Sequence, residues 1–228
     1  MSPRPRRNVQ KVNLQEAIKE TAWKQIAKLG APALSLRAIA RELGITAPAI
    51  YNYFPNRNAL VTSLIKDAFT ALGESQRVAD HQYQDSASRL SALGLAYRTW
   101  AVTYPQRYQL IFGTPIPGYH APADVTVPAA AWALVPLIGV LQAGFANNQL
   151  RTERSAALTP ALKSMLEAWH EFEGGSDIEA LYAALVVWSR VHGLVSLEIG
   201  QQLPSFIVDP GEVFRREIRN IIHQYTEE

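Results

Sequence analysis

The sequence predicts an all-α protein in two parts, a small N-terminal helix-turn-helix domain and a larger helical domain. Three observations predict it. Apolar residues recur at helical spacing along the chain, with no convincing strand alternation and no internal repeat. Proline, glycine and capping residues divide that pattern into segments of helical length. Residues 35–60, SLRAIARELGITAPAIYNYFPNRNAL, read as two short helices about a glycine turn, then a stop and a third helix.

Each element has its own signal. Asn13 with Glu16 resembles a capping box and opens a helix to about Leu29, which Gly30-Ala31-Pro32 ends. Ser35 is the N-cap of a helix over about 36–43, with Leu36, Ile39, Ala40 and Leu43 on one face. Gly44 ends it, because glycine enters the left-handed C-cap conformation without strain. Thr46 caps the next helix, about 47–53, with Pro48 in its first turn where a missing N–H costs nothing. Phe54-Pro55-Asn56 breaks the chain before a helix from about Asn58 to Arg77. Further helices are expected at about 85–103 and from Pro105 to Phe112. Residues 113–128, with four prolines and two glycines, read as an irregular loop. Helices follow at about 128–147, 160–172, 177–200 and 210–226, the last three opened by Thr159-Pro160, Ser176 with Glu179, and Asp209-Pro210 with Glu212. The expected division is a flexible basic arm at 1–11, a helix-turn-helix domain at 12–57, and an effector-binding and dimerisation domain at 58–228.

Composition narrows the function. Of 228 residues, 48% are hydrophobic and 18% charged, enough apolar material for a core and against disorder. There is no cysteine, which removes disulfides, thiolate metal sites and cysteine nucleophiles and fits a cytoplasmic location. The N-terminus has no apolar stretch after its basic residues, so it does not read as a secretory signal. Residues 1–60 hold 10 Lys/Arg against 3 Asp/Glu, and residues 61–228 hold 12 against 17. A basic first third beside an acidic remainder suggests a polyanion partner for the first part only. Arg4, Arg6, Arg7 and Lys11 form either an arm that adds affinity for DNA or a solvated tail. Val125 to Leu150 runs 26 residues without a charge, long enough for a membrane span. Its prolines, glycines, alanines and C-terminal amides argue instead for a helix buried in a helical domain, and no membrane partner is expected.

A major-groove reader must be exposed at the N-terminal end of its second helix and held from behind. Leu36, Ile39, Ala40, Leu43, Ile45 and Ile50 supply the backing, and Thr46, Ala47, Pro48, Tyr51 and Asn52 then face outward. Ala47 and Pro48 offer thymine methyls only apolar contact, while Asn52 suits either an adenine edge or a phosphate. Tyr51 and Tyr53 carry hydroxyls able to meet phosphates, and Ser35, Arg37 and Arg57 are candidate phosphate anchors. The plain alternative is a corner of a helical protein in which the tyrosines are merely packed.

Two stretches, LSLRAIARELGIT and AIYNYFPNRNALV, resemble the DNA-binding domain of the TetR family of bacterial transcriptional regulators over about residues 12–65. The resemblance rests on Ile39-Ala40, Gly44-Ile45-Thr46, Tyr51-Asn52-Tyr53-Phe54 and Arg57. Many members carry a polar or basic residue where Ala47 stands, and Ser or Thr where Ala49 stands, so base readout here is poor in direct hydrogen bonds. The resemblance implies a C-terminal ligand-binding and dimerisation domain. Residues 97–122 with Trp188, His192 and Gly193 are similar to a TetR subfamily whose C-terminal domain is named for a Trp, His and Gly motif.

Aromatic residues crowd the second part of the chain. Trp100, Tyr104, Tyr108, Phe112, Trp132, Trp169 and Trp188, together with His192, are candidate effector-binding residues, each open to a plain core-filling role. The step from Trp188 to His192 puts both on one helical face. The apolar run ALYAALVVW makes the helix at 177–200, with that at 210–226, the natural dimer interface. The expected function is therefore a TetR-like regulator. It is a homodimeric repressor released from a palindromic operator in double-stranded DNA by a small-molecule effector, with the helix at 58–77 as lever. The alternative is a helical small-molecule-binding protein or enzyme without DNA binding. No catalytic constellation, cofactor motif or metal site is expected. The run His170-Glu171-x-Glu173 lacks the His-Glu-x-x-His spacing and reads as an acidic helix end.

Overall fold

A computed structural model describes residues 7–152 and 157–226. Among them the ordered elements are all helical: α1 (Arg7–Leu29), a 3-10 turn (Ala31–Ala33), α2 (Leu36–Glu42), α3 (Ala47–Tyr51), α4 (Arg57–Asp80), α5 (Ser86–Thr103), α6 (Pro105–Phe112), α7 (Ala123–Ala146), α8 (Pro160–Glu173), α9 (Ile178–Ile199) and α10 (Pro210–Thr226). They form two compact units, one of residues up to Ala68 with Gln106–Val127, the other of Phe69–Pro105 with the chain from Pro128 onward. The sequence expectation of one cut near residue 57 did not separate 106–127 from the helices around it.

Local chemistry sets the corners of the first unit. The Ser35 hydroxyl oxygen accepts from the Ala38 N–H at 3.3 Å, capping α2. At its other end Gly44 has φ +64°, its N–H donates to Arg41 O, and Ile45 N–H donates to Ala40 O. Those two bonds are a Schellman motif, which supplies donors to carbonyls the helix end leaves open. Thr46 precedes α3 with extended backbone but no side-chain cap bond, so it is a positional cap only. Asn56 caps α4, its Oδ1 accepting from Ala59 N–H at 2.9 Å. Ile18, Ala22, Ile39, Ile50, Leu60, Val61 and Leu64 are completely buried in this unit.

Two boundaries differ from expectation. Helix α1 begins at Arg7, so Asn13 and Glu16 lie inside it and no capping box forms. Nothing between Arg7 and Val12 is a proline or glycine, so the helix runs on upstream. Of the expected flexible arm, Arg7 and Lys11 therefore stand on a helix, and Arg4 and Arg6 lie outside the described residues. Helix α7 begins at Ala123 and carries Pro128 and Pro136 within it. Each proline forfeits a backbone bond one turn back. The carbonyl Pro136 leaves open is that of Trp132; at the next residue the buried Gln76 amide of α4 donates to Ala133 O at 2.9 Å.

Ion pairs join the helices of the second unit. Arg89 on α5 holds Asp80 of α4 (2.7 Å), Arg98 on α5 holds Glu198 of α9, and Arg190 on α9 holds Glu217 of α10 (2.6 Å). Gly94 and Gly144 allow close packing there, since a Cβ on either would run into Ile218 or Leu150. At Gly44 by contrast a Cβ would meet nothing within 4 Å, so only its backbone conformation demands glycine. Gly44→Ala should therefore destabilise the protein by about 1 kcal/mol in urea unfolding. A neutral result would show that the left-handed corner carries no strain.

Candidate nucleic-acid interface

The α2–α3 corner divides cleanly into a buried and an exposed side. Leu36, Ile39, Ala40, Ile50 and Phe54 are at most 5% exposed. Leu43 and Ile45 are half-buried around the turn. Above this backing Thr46, Pro48, Tyr51 and Asn52 are exposed, Tyr51 at 43%, while Ala47 and Tyr53 are half-buried. Arg37 is exposed on α2, and Arg41, four residues on and also exposed, stands on the same helix. Sequence reasoning passed over Arg41, although its distance from Arg37 was a readable signal. Lys24 and Lys28 of α1 are exposed in the same unit.

Two of the expected anchors are otherwise engaged. The Ser35 hydroxyl oxygen accepts the α2 cap bond, and its own N–H donates to Gln25 Oε1 at 3.3 Å. In Arg57 the Nη2 donates to the carbonyls of Ala31 and Pro32 at 2.9 and 3.0 Å, and its Nε is buried without a partner among the described residues. This arginine ties the first turn of α4 to the 3-10 turn after α1 through one guanidinium nitrogen, a tether its reading as a phosphate anchor did not include.

A second set of contacts brings the distant segment 106–127 onto these helices. The Tyr119 hydroxyl lies 2.9 Å from Thr62 Oγ1 of α4. The Arg107 guanidinium stands 5.3 Å from the Trp23 ring centroid of α1. Both contacts lie within the first unit.

The candidate effector residues are divided between the two units. Tyr108 and Phe112 face each other at 5.1 Å in the first unit, Tyr108 buried and Phe112 half-buried. In the second unit, Trp100 is buried and Tyr104 lies 6.1 Å away and exposed. Trp188 and His192 are 5.0 Å apart on α9, as their spacing required. Trp132 is 38% exposed, beneath the Arg77 guanidinium at 4.9 Å and against Gly73. Trp169 is half-buried on α8. Tyr97, absent from the sequence candidates, proves central: its hydroxyl lies 2.8 Å from His192 Nδ1, and Ser196 Oγ lies 3.3 Å from Nε2. Burial pushes the His192 pKa below its ordinary 6.5. A neutral imidazole donates from one nitrogen and accepts at the other, which suits a chain of two hydroxyls.

A narrow exposed helix held on an aliphatic shelf, in a basic N-terminal unit with a helical companion, defines a helix-turn-helix DNA-binding regulator. The known relatives name the family. Residues 18–64 match the bacterial regulatory proteins of the tetR family, and residues 90–221 match the tetracyclin repressor-like C-terminal domain. The chain belongs to the TetR family of bacterial transcriptional regulators. It is 35% identical over 212 residues to the HTH-type transcriptional regulators Rv1816 of Mycobacterium tuberculosis and Mb1846 of Mycobacterium bovis, covering 92% of this chain and 91% of each relative. The crystal structure of the regulatory protein SCO4313 is similar at 36% identity with a TM-score of 0.78, over 96% of this chain and 98% of that one. A protein of unknown function from Rhodococcus sp. RHA1 shares the fold at 21% identity and a TM-score of 0.72, over 94% and 96% of the two chains. The chain is thus a regulator and not an enzyme, and among the described residues no group of side chains suited to a metal is present.

Two outcomes test this geometry. Arg57→Met should lower stability by about 2 kcal/mol, because two carbonyls lose their donor; an unchanged melting temperature would show that the tether is idle. His192 stays neutral more readily in the folded chain, so its contribution is complete above pH 6.5 and is lost as pH falls through its lowered folded value. His192→Asn should flatten the fall of melting temperature with acidification below 6.5. A wild-type slope in that variant would place the acid sensitivity elsewhere.

Proposed function

We propose that the chain is a homodimeric repressor that holds a palindromic operator through α2 and α3 and leaves it when a small-molecule effector occupies the helical domain. The supporting observation is the exposed face of α3: Thr46, Pro48, Tyr51 and Asn52 stand outward over the fully buried Ile50. In this reading Ala47 and Pro48 lie on thymine methyls, Tyr51, Asn52 and Tyr53 reach bases or phosphates, and Arg37 and the α2 N-terminus hold the backbone. Residues 12–57 serve DNA and residues 58–228 serve the effector and the dimer.

A second copy is needed because one such helix grips few bases. Two copies about 34–36 Å apart, or a multiple of that, read a palindrome from one side of the duplex. The outward face of α9 favours such a partner. Leu185 is 40% exposed, Tyr182 and Gly193 are half-buried, Ser189 is exposed, and a Cβ on Gly193 would meet nothing within 4 Å in its own chain. Helix α10 adds a charged rim, with Glu212, Arg216, Arg219 and His223 exposed. Trp188, His192 and Gly193 support membership of the Trp-His-Gly subfamily, with His192 anchoring α9 to Tyr97 of α5. An effector shifts the equilibrium only by binding one dimer geometry better than the other, with α4 as lever. A cytoplasmic location without a membrane part fits a DNA partner. Helices α7 and α9 have the length and composition to cross a membrane, yet Leu141 of α7 and Leu181 and Val195 of α9 are completely buried in their own unit.

Footprinting on the DNA beside its own gene tests the reading: a protected palindrome is expected, and no specific protection on any genomic fragment would overturn it. Arg37→Ala should weaken binding to all sequences and reduce the salt slope by about one unit. Tyr51→Ala should lower operator affinity while melting temperature and dimer are kept; loss of folding would make Tyr51 part of the core.

A further inference from the structure

We infer that the effector is a neutral, largely apolar molecule carrying a hydrogen-bond acceptor, and that the indole N–H of Trp100 is the donor that meets it. The inference rests on the effector reading above. Trp100 is 5% exposed and its Nε1 has no hydrogen-bond partner. In the second unit it is the one buried side-chain nitrogen or oxygen in that condition among the described residues. A buried donor left open is costly, and native chains seldom keep one without a use.

No second buried side-chain nitrogen or oxygen of this unit lacks a partner among the described residues. The surroundings give the acceptor its character. Just past the end of α5 the Tyr104 ring, itself part-exposed, lies 6.1 Å from the indole and gives the acceptor an aromatic neighbour. One turn back, the Tyr97 hydroxyl is joined to His192. The arginines of the same helix are both taken: Arg89 lies on Asp80, and Arg98 lies on Glu198. No cation of α5 is therefore left to neutralise a carboxylate, whereas a ketone, ester or ether oxygen requires only the one N–H. Burying the acceptor without that donor would leave it unpaired, so the N–H selects oxygen-bearing molecules over hydrocarbons of equal shape.

The test uses acetophenone and ethylbenzene, which have nearly one size and differ in the carbonyl. Binding to the full-length protein is followed by titration on indole nitrogen–proton NMR spectra, and DNA release by mobility shift. Wild type should bind acetophenone about tenfold more tightly than ethylbenzene, and acetophenone should move one indole cross-peak that Trp100→Phe lacks. In Trp100→Phe the preference should vanish while ethylbenzene binding is kept. Should that variant fail to fold, the wild type alone decides, through the indole cross-peak in NOE contact with the Tyr104 ring, which acetophenone should move and ethylbenzene should not. Equal binding of both probes with DNA release would keep the effector reading and overturn the donor. A preference that survives in Trp100→Phe would do the same. Acetophenone held through Trp100 without DNA release would uphold the donor and remove the effector reading. Binding of neither probe would overturn both.

Discussion

A helix of five residues has almost no stability of its own, and α3 is such a helix. It persists because Ile50 within it and Phe54 just beyond it are driven out of water against Leu36, Ile39 and Ala40. The left-handed Gly44 sets the direction in which the chain leaves α2 to reach that shelf. Burial on one side fixes what is exposed on the other. The outward residues of α3 are available to DNA because the inward ones are not negotiable, and the affinity of the surface is bought by the core beneath it.

The second unit answers a different need. Its helices are joined by paired side chains as well as by apolar contact, with Arg89, Arg98 and Arg190 each reaching across to a carboxylate on a neighbouring helix. Removing either partner of such a partly buried pair would leave a charge without company. Within that frame the Tyr97–His192–Ser196 chain holds α5 to α9 through hydrogen bonds that a neutral imidazole completes. Among the described residues of this unit, the Trp100 indole N–H is the buried side-chain polar group without a partner.

Much of this was legible in residue order, for a physical reason. Ser35, Gly44, Thr159 and Asp209 act on neighbours within a few positions, so their sequence context already contains their function. The pairing of Trp188 with His192 followed from helical spacing alone. What escaped reading depends on partners far along the chain. The tether from Arg57 to the carbonyls of Ala31 and Pro32 spans some 25 positions and leaves no local signal. Gln76 gains its partner only when α7 brings the Ala133 carbonyl beside it. Tyr97 is one aromatic among many until His192 meets it. The start of α1 was missed for a gentler cause: a plausible cap at Asn13 is only a preference, and an uninterrupted run of helix-compatible residues overrides it.

The attachment of residues 106–127 to the first unit, through Tyr119 on Thr62 and Arg107 on Trp23, bears on how this protein can be taken apart. The polypeptide passes from one unit to the other three times, so no single scissor point yields two intact halves. A chimaera that grafted only the first sixty-odd residues onto a foreign sensor would arrive without the strap these side chains fasten. Recombination between relatives would have met the same obstacle, and would have had to carry α6 and its following loop along with the reading head.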